Sequence, residues 1–256
     1  KALAGWLQLM EDAYWLSSDA DALAWHAREV ISARESGAPH VAARVREAQG
    51  VTEVLVYAPD RKGLFASLAA AISMSGADIA GARVYTAANN FAFDTFTIQT
   101  ADLRAFGADN PAALRALIRR VRKAASEDVP VPEVKPASRR SAAFAIEPWV
   151  QVDNDASPAA TVVEASGRDR SGLLAALAHA CAEAGASIVS AHIDTYGERA
   201  ADVFYLQDAS GNKLLSPRQL DALSAGLEAA LRAGEPTAPK TAAKTTLAVG
   251  RASTAR

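Results

Sequence analysis

The sequence predicts an α+β protein built from two tandem ferredoxin-like units, and an internal repeat is the main reason. Asp60-Arg61-Lys62-Gly63-Leu64 recurs as Asp169-Arg170-Ser171-Gly172-Leu173, an offset of 109 residues. Further matches continue at this offset and then at 108, which a one-residue deletion in a loop explains. The period is far longer than that of a solenoid repeat, so the pattern indicates a duplicated small domain.

Each copy is predicted to run strand, helix, strand, strand, helix, strand. In the first copy a β-rich run over 51–57 precedes a Pro-Asp break, and an apolar stripe at helical spacing starts at Leu64. Asn89-Asn90 separates two strand-like runs, and Asn110-Pro111 predicts an N-cap followed by a first helical turn. The expected closing strand covers 143–152. This βαββαβ order is typical of the ferredoxin-like sandwich.

The second copy repeats this order, and the flanking segments differ from both copies. Ser216-Pro217-Arg218-Gln219 predicts a capping box with proline at the first helical position, and 246–249 is the candidate closing strand. One helical face near the start carries Leu23, His26, Ala27, Val30 and Ile31, with Asp19 or Asp21 as its cap. The predicted organisation is a helical connector over 1–48, units over 51–152 and 160–235, and a disordered basic tail over 236–256.

Composition narrows the class of protein. The 256 residues are 50% hydrophobic and carry a net charge of −2, so a nucleic-acid or anionic-membrane partner is not favoured. One cysteine excludes an internal disulfide framework, and no apolar run approaches the roughly 18 residues of a membrane span. We therefore expect a cytoplasmic protein. Because the chain begins at Lys1 rather than Met, we expect a processed chain or, preferably, a piece of a longer protein.

The repeated turn is the best candidate binding site. A helix N-terminus offers unpaired backbone N–H groups and the positive end of the helix dipole, which suit a carboxylate. The turn glycines allow close approach to the backbone, and the turn aspartates could cap the helix or receive an ammonium group. Such a site would recognise a free α-amino acid, although the same residues also occur in ordinary turns and caps. The candidate residues in the turns are Asp60, Gly63, Leu64, Asp169, Ser171, Gly172 and Leu173.

No pattern in the chain points to catalysis. None of the four histidines has the i, i+4 partner of a helical metal site, and no phosphate-binding or nucleophile-elbow motif occurs. Cys181 occupies an apolar helix position, which favours a buried small hydrophobe over a nucleophile. We therefore expect no catalytic residues, metal or cofactor in this chain.

The motifs resemble a known family. The Asp-Arg-x-Gly-Leu turn, followed by Gly-Ala-x-Ile in such a unit, resembles the ACT domain, a regulatory module that binds amino acids. In the second copy, 167–174, 190–200 and 202–205 closely resemble the C-terminal ACT domain of bifunctional uridylyltransferase/uridylyl-removing enzymes. Tyr14-Trp15-Leu16 and Trp25-His26-Ala27-Arg28 resemble the connector after the hydrolase domain of those enzymes.

The resemblance implies a function in nitrogen regulation. Enzymes of this family uridylylate the PII protein and remove the uridylyl group, with glutamine as the signal and magnesium as the implied metal of the catalytic domains. The catalytic motifs of the nucleotidyltransferase and phosphohydrolase domains have no counterpart here. The family's interface-bound ligands imply a contact near Arg83 or His192. The usual proline before the turn glycine is Lys62 in one copy and Ser171 in the other, and the second turn matches the family better.

Three interpretations follow from the sequence. The first is the glutamine-sensing regulatory region of such an enzyme, with glutamine and PII as partners. The second is a free-standing double-ACT amino-acid sensor that acts on another partner. The third is a ferredoxin-like module that pairs sheet edges for assembly and binds no ligand.

Overall fold

Strands and helices alternate along the chain of the computed structural model, which describes residues 2–10, 12–16, 18–33, 37–130 and 146–233. The strands in these ranges are β1 (His40–Arg46), β2 (Val51–Pro59), β3 (Asp78–Thr86), β4 (Phe91–Gln99), β5 (Trp149–Asp153), β6 (Thr161–Arg168), β7 (Ser187–Tyr196) and β8 (Arg199–Gln207). The α-helices are α1 (Ala2–Leu7), α2 (Asp12–Leu16), α3 (Ala20–Ala33), α4 (Leu64–Ser73), α5 (Pro111–Ala124), α6 (Leu173–Glu183) and α7 (Pro217–Arg232).

One antiparallel sheet joins all eight described strands in the order β1-β2-β4-β3-β7-β8-β6-β5. Each half of the sheet belongs to one repeat, and the halves meet where β3 pairs with β7. That pairing runs from Gly81 opposite Asp194 to Tyr85 opposite Ser190. The two units are therefore related by an approximate two-fold axis between β3 and β7. The predicted α+β class with two ferredoxin-like units is confirmed.

Helices α4 to α7 cover one face of the sheet and form the main core with it. Successive strand residues point to opposite faces, so Val54, Val56, Phe96 and Ile98 point toward these helices. Helix α4 packs against α6 across the unit boundary, and its alanines at positions 66, 69, 70 and 71 are all buried. Small side chains let helices and sheet approach closely, which explains how a core can be filled with few aromatic residues.

The predicted closing strand of the first unit was wrong in its place along the chain. The strand beside β2 is β1, which precedes it and lies inside the segment predicted to be a helical connector. Of the predicted strand over 143–152, only the part from Trp149 is a strand, and it pairs with β6 of the second unit. In each unit β1 or β5 already occupies the edge, so the order is ββαββα. The other candidate, 246–249, lies outside the described residues, as does the predicted tail.

Two of the three predicted helix caps are present in the structure. The Asn110 side chain accepts a hydrogen bond from the backbone N–H of Ala113 at 3.1 Å, and the Asp19 side chain caps α3 through Ala22 at 2.8 Å. The Ser216 side chain makes no capping hydrogen bond. Instead of completing a capping box, the Gln219 amide donates to the carbonyl oxygen of Ala184 at 2.9 Å. Gln219 therefore ties α7 to the end of α6 rather than to its own N-terminus.

A second core lies on the other face of the first unit. The N-terminal helices cover this face, and the buried residues there are Trp6, Met10, Tyr14, Trp25, Val30, Ala33, Leu55, Tyr57, Ala87 and Phe93. Aromatic rings meet edge to face in this core: the ring centroids of Tyr14 and Phe93 are 5.2 Å apart. The first unit therefore has helices on both faces of its half-sheet. Among the described helices, none is long and apolar enough to cross a membrane.

Candidate functional site

The two Asp-Arg-x-Gly-Leu turns have the same conformation. Gly63 has a φ of +75° and Gly172 has a φ of +79°, in the left-handed region that other residues enter only with strain. In each turn the N–H of the next leucine bonds the arginine carbonyl, at 3.1 Å for Leu64 and 3.0 Å for Leu173. The N–H of Asp60 also bonds the Asn90 carbonyl in the β3–β4 hairpin. The similar sequences of the two turns thus reflect one shared backbone conformation.

The arginine of each turn has a structural role that the sequence analysis did not assign. The Arg61 guanidinium donates to the carbonyl oxygens of Ala124, the last residue of α5, at 2.9 Å and of Glu127 at 2.8 Å, and it pairs with Asp128. Arg170 donates likewise to the Ala230 carbonyl in α7, at 2.8 Å. A cation is favoured at a helix C-terminus, where carbonyl groups lack intrahelical partners. Each arginine therefore fixes its turn against the last helix of the same unit.

Replacing Arg61 with lysine is expected to lower the free energy of unfolding by about 1–2 kcal/mol, because an ammonium group cannot reproduce the guanidinium fork. Equilibrium urea denaturation measures this change. Arg119→Lys, at an exposed position of α5, is the control and should change stability little. Equal losses in both variants would contradict the role given to Arg61.

The turn aspartates do not cap the helices. Neither α4 nor α6 has a side-chain cap, and Gly63 and Gly172 occupy the N-cap positions. Each carboxylate instead accepts a hydrogen bond from the backbone N–H of the following arginine. Desolvation nevertheless raises the pKa of both Asp60 and Asp169 above the usual value. No aspartate side chain therefore occupies the N-terminus of either helix, and the N–H groups that follow the first leucine of each helix are left for another acceptor.

A cavity of about 130 Å³ opens beside the first turn. Its walls come from both units: the turn and the first residues of α4 on one side, and the end of α6 with the start of β7 on the other. The second unit contributes Ala178, Ala182, Ala186, Ser187 and Ile188. An apolar cavity of roughly 150 Å³ holds a benzene molecule, so this space is on the scale of a small organic ligand.

The symmetry-related cavity beside the second turn is much smaller, about 30 Å³. Its walls are Asp169 to Leu174 and, from the first unit, Ser73, Ala77, Asp78 and Ile79. Asp78 takes the place that Ser187 has in the first cavity, and its charge contributes to the raised pKa of Asp169. This space is about the volume of one water molecule in the liquid. The sequence analysis favoured the second turn for binding, whereas the cavity volumes favour the first.

Two buried aspartates occupy matched places in the strands of the two units, and the sequence analysis did not select either. Asp94 in β4 is fully buried, and Asp202 occupies the matched place in β8 with 3% exposure. Desolvation raises the pKa of Asp94 well above the usual value, and Asp60 adds to this. Burial likewise raises the pKa of Asp202 to about 8. Asp94 lines the first cavity, whereas Asp202 is not among the described residues that line the second.

The structure does not bring His192 to either turn. Its strand neighbours Ala191 and Ile193 point into the core beneath the helices, so His192 points to the opposite face of the sheet. There it lies opposite Arg83 in the β3–β7 pairing, and its ring centroid is 6.2 Å from that of Tyr205. Burial, followed by the charge of Arg83, lowers the pKa of His192. The expectation that Arg83 or His192 contacts a ligand at the turn therefore does not fit the geometry.

Other chemically active groups are few in the described part of the chain. Among those residues, no group of three or more His, Cys, Asp or Glu side chains is placed to hold a metal ion. Burial raises the pKa of the Cys181 thiol to about 12, so this cysteine is a poor nucleophile at neutral pH. The cavity at the first turn, with its helix N-terminus and two carboxyl groups, is therefore the strongest candidate site.

Comparison with known proteins first gives the class of domain. Residues 161–219, which cover most of the second unit, match the ACT domain. The first unit has the same arrangement of strands and helices and carries the same turn. The second unit is thus an ACT domain within a tandem pair of ferredoxin-like units.

Comparison with whole proteins identifies the family. The chain is 47% identical over its full length to the bifunctional uridylyltransferase/uridylyl-removing enzyme of Caulobacter vibrioides (strain NA1000 / CB15N), of which it spans 27%. It is 47% identical over 98% of its length to the Phenylobacterium zucineum (strain HLK1) enzyme of the same name, again spanning 27%. The Azospirillum brasilense enzyme of that name is 39% identical over 84% of the chain, which corresponds to 24% of that enzyme.

The chain belongs to the family of bifunctional uridylyltransferase/uridylyl-removing enzymes and corresponds to their C-terminal ACT region. It spans about a quarter of the length of the relatives it matches. The recognition made from the turn and strand motifs is confirmed.

Proposed function

We propose that this chain is the glutamine-sensing region of a uridylyltransferase/uridylyl-removing enzyme that modifies PII, and that glutamine binds in the cavity at the first turn. The observation that carries the proposal is a cavity of about 130 Å³ with walls from both units. Magnesium in the catalytic domains and a cytoplasmic location belong to the same proposal. They rest on the resemblance of the chain to the family.

The charges around the cavity suit the two ends of an amino acid. The N–H of Leu64 is used by the Arg61 carbonyl, but those of Phe65 and Ala66 have no acceptor among the described residues. These two N–H groups stand at the positive end of the α4 dipole and suit the ligand carboxylate. The carboxyl groups of Asp60 and Asp94 line the same cavity and suit an ammonium group. A zwitterion thus meets opposite charges within one small space.

The cavity wall from the second unit offers a hydrogen-bond partner for the side chain of glutamine. Ser187, at the start of β7, carries a hydroxyl group that can donate and accept a hydrogen bond. Its counterpart in the smaller cavity is Asp78, which as a carboxylate can only accept. A ligand that joins α4 of the first unit to β7 of the second favours one relative position of the units. This coupling is the physical basis for regulation.

Calorimetric titration with glutamine tests the proposal with two matched variants. Gly63→Val is expected to weaken binding at least tenfold, because a β-branched residue at φ near +75° displaces the turn and its N–H groups. An added Cβ at Gly63 meets no atom within 4 Å, so the effect is one of backbone strain rather than collision. Gly172→Val imposes the same strain at the smaller cavity and should leave affinity within about twofold.

Two results would count against the proposal. One is the absence of glutamine binding to the unaltered chain. The other is equal affinity of both variants while circular dichroism shows that both are folded. A panel of other amino acids separates glutamine sensing from a general amino-acid sensor, because the helix N-terminus and the two carboxyl groups recognise the groups that all amino acids share. If no amino acid binds, the interpretation as an assembly module gains support.

A further inference from the structure

Asp94 is a buried acid without a partner. It is fully buried, and neither carboxyl oxygen has a hydrogen-bond partner among the described residues. Its cross-strand neighbours are Val56 in β2 and Val84 in β3, both of which belong to the main core. A carboxyl group in such surroundings is costly unless a ligand or a proton compensates it. Nothing in the fold itself requires an acid at this position.

The residues that line the first cavity show which charged groups surround Asp94. The charge of Asp60 raises the pKa of Asp94. The Arg61 guanidinium turns away to the end of α5, and Lys62 is exposed. The wall from the second unit is uncharged: Ala178, Ala182, Ala186, Ser187 and Ile188. No basic side chain forms an ion pair with Asp94 among the described residues, so a cation that enters the cavity meets two acids, of which Asp94 has no hydrogen-bond partner there.

We propose that Asp94, together with Asp60, binds the ammonium group of the ligand, and that its carboxyl group loses a proton as the ligand enters. The inference rests on the amino-acid binding proposed above. Burial beside a second acid raises the pKa of Asp94 and so favours the protonated, neutral carboxyl group in the empty site. When the ligand binds, the O–H proton leaves to solvent and the carboxylate pairs with the ammonium group. The site thus avoids holding an unpaired buried charge when empty.

The second unit provides a natural comparison. Asp202 has the same position in β8 as Asp94 has in β4, and its cross-strand neighbours are Ala165 in β6 and Ile193 in β7. It is not among the described lining residues of the smaller cavity, which has little more space than one water molecule. Of the two buried strand aspartates, we therefore assign ligand binding to Asp94 and not to Asp202. Asp202→Asn is the matched control for Asp94→Asn.

The test uses calorimetry with glutamine and with glutaramate, which is glutamine without its α-amino group. For the unaltered chain we expect glutamine to bind more tightly than glutaramate. Asp94→Asn should weaken glutamine at least tenfold and leave glutaramate within about threefold, since only the former has the ammonium group. Asp202→Asn should bind both as the unaltered chain does. Asparagine is neutral and close in shape to the protonated acid, so thermal melting should show that both variants are folded.

Proton release is the second measurement. Titrations at mildly acidic pH in two buffers of different ionisation enthalpy give the number of protons released per ligand. We expect up to one proton from the unaltered chain and from Asp202→Asn, and close to none from Asp94→Asn. Glutaramate should release none with any variant. These readouts depend on the ammonium group and therefore separate its binding from a general weakening of the site.

The outcomes distinguish this inference from the proposed function. If glutamine binds but Asp94→Asn binds it as tightly and no proton is released, the role of Asp94 is overturned and glutamine sensing stands. If Asp94→Asn weakens glutamine and glutaramate equally, the acid shapes the cavity and does not bind the ammonium group. If the unaltered chain binds no glutamine, both the proposed function and this inference are overturned.

Discussion

Replacing Phe93 with alanine should lower the free energy of unfolding by about 3–5 kcal/mol, as expected for truncating a buried aromatic side chain. Phe93 is fully buried in the core between the sheet and the N-terminal helices. Its ring centroid lies 5.5 Å from that of Trp6, 5.2 Å from that of Tyr14 and 5.1 Å from that of His26. The variant therefore loses the contacts that hold these helices on the sheet, and urea denaturation measures the loss.

Phe96→Ala is the matched control for that prediction. Phe96 is 1% exposed and lies in the same strand, but it packs against Phe65 on the opposite face. Its truncation should cost a similar free energy. Three of the four tryptophans are in the N-terminal helical segment, so native-state fluorescence should shift to longer wavelength in Phe93→Ala only. The same spectrum in both variants would show that Phe93 does not hold that segment.

Lowering the pH from about 6.5 to 4 is expected to remove about 3 kcal/mol of stability through His26. Burial, and secondarily the charge of Arg44, lowers the pKa of this histidine to about 4, while Asp19 partly opposes the shift. The pKa of His26 is lower in the folded than in the unfolded state. Its contribution to stability is therefore complete above about pH 6.5 and is lost as the pH falls toward 4. In the neutral form with the proton on Nε2, the Tyr14 hydroxyl donates to Nδ1 at 2.9 Å.

The histidine prediction can be checked in two ways. An NMR titration should find the His26 imidazole neutral through the range in which an ordinary histidine takes up a proton. The stability difference between the unaltered chain and His26→Gln should shrink as the pH falls, since carboxyl contributions common to both cancel. An unchanged difference across this range would contradict the assigned burial effect.

The fold class and the turns could be predicted because they depend on local sequence. A residue with positive φ calls for glycine, and the repeat placed Gly63 and Gly172 at matched positions. The closing strands depend on tertiary context. The run from His40 to Arg46 is alanine-containing and short, and it becomes a strand because the edge of β2 is open beside it. The Ser216 capping box failed for a similar reason, since Gln219 finds a partner in α6.

Only part of the candidate site could be predicted from the sequence. The turn residues were selected through the repeat, whereas Asp94 and Asp202 were not selected as site residues. A signal was present: aspartate is disfavoured in strands, yet it occurs at matched positions within two strand-like apolar runs. The cavity depends on how the two units meet, so its volume and the position of His192 could not be read from either copy alone.

The early position of the closing strand has a mechanical consequence. Helix α3 is bound to β1 by the His40–Glu29 pair at 2.9 Å, by Arg44 and Arg46 on Asp21, and by Arg44 over the Trp25 ring. Strand β1 pairs with β2 along its length, and β2 ends at the turn that borders the larger cavity. The candidate site is thus connected mechanically to the helices that precede it: a displacement of α3 is transmitted through β1 and β2 to the cavity, and a ligand bound at the turn would stiffen the same connection.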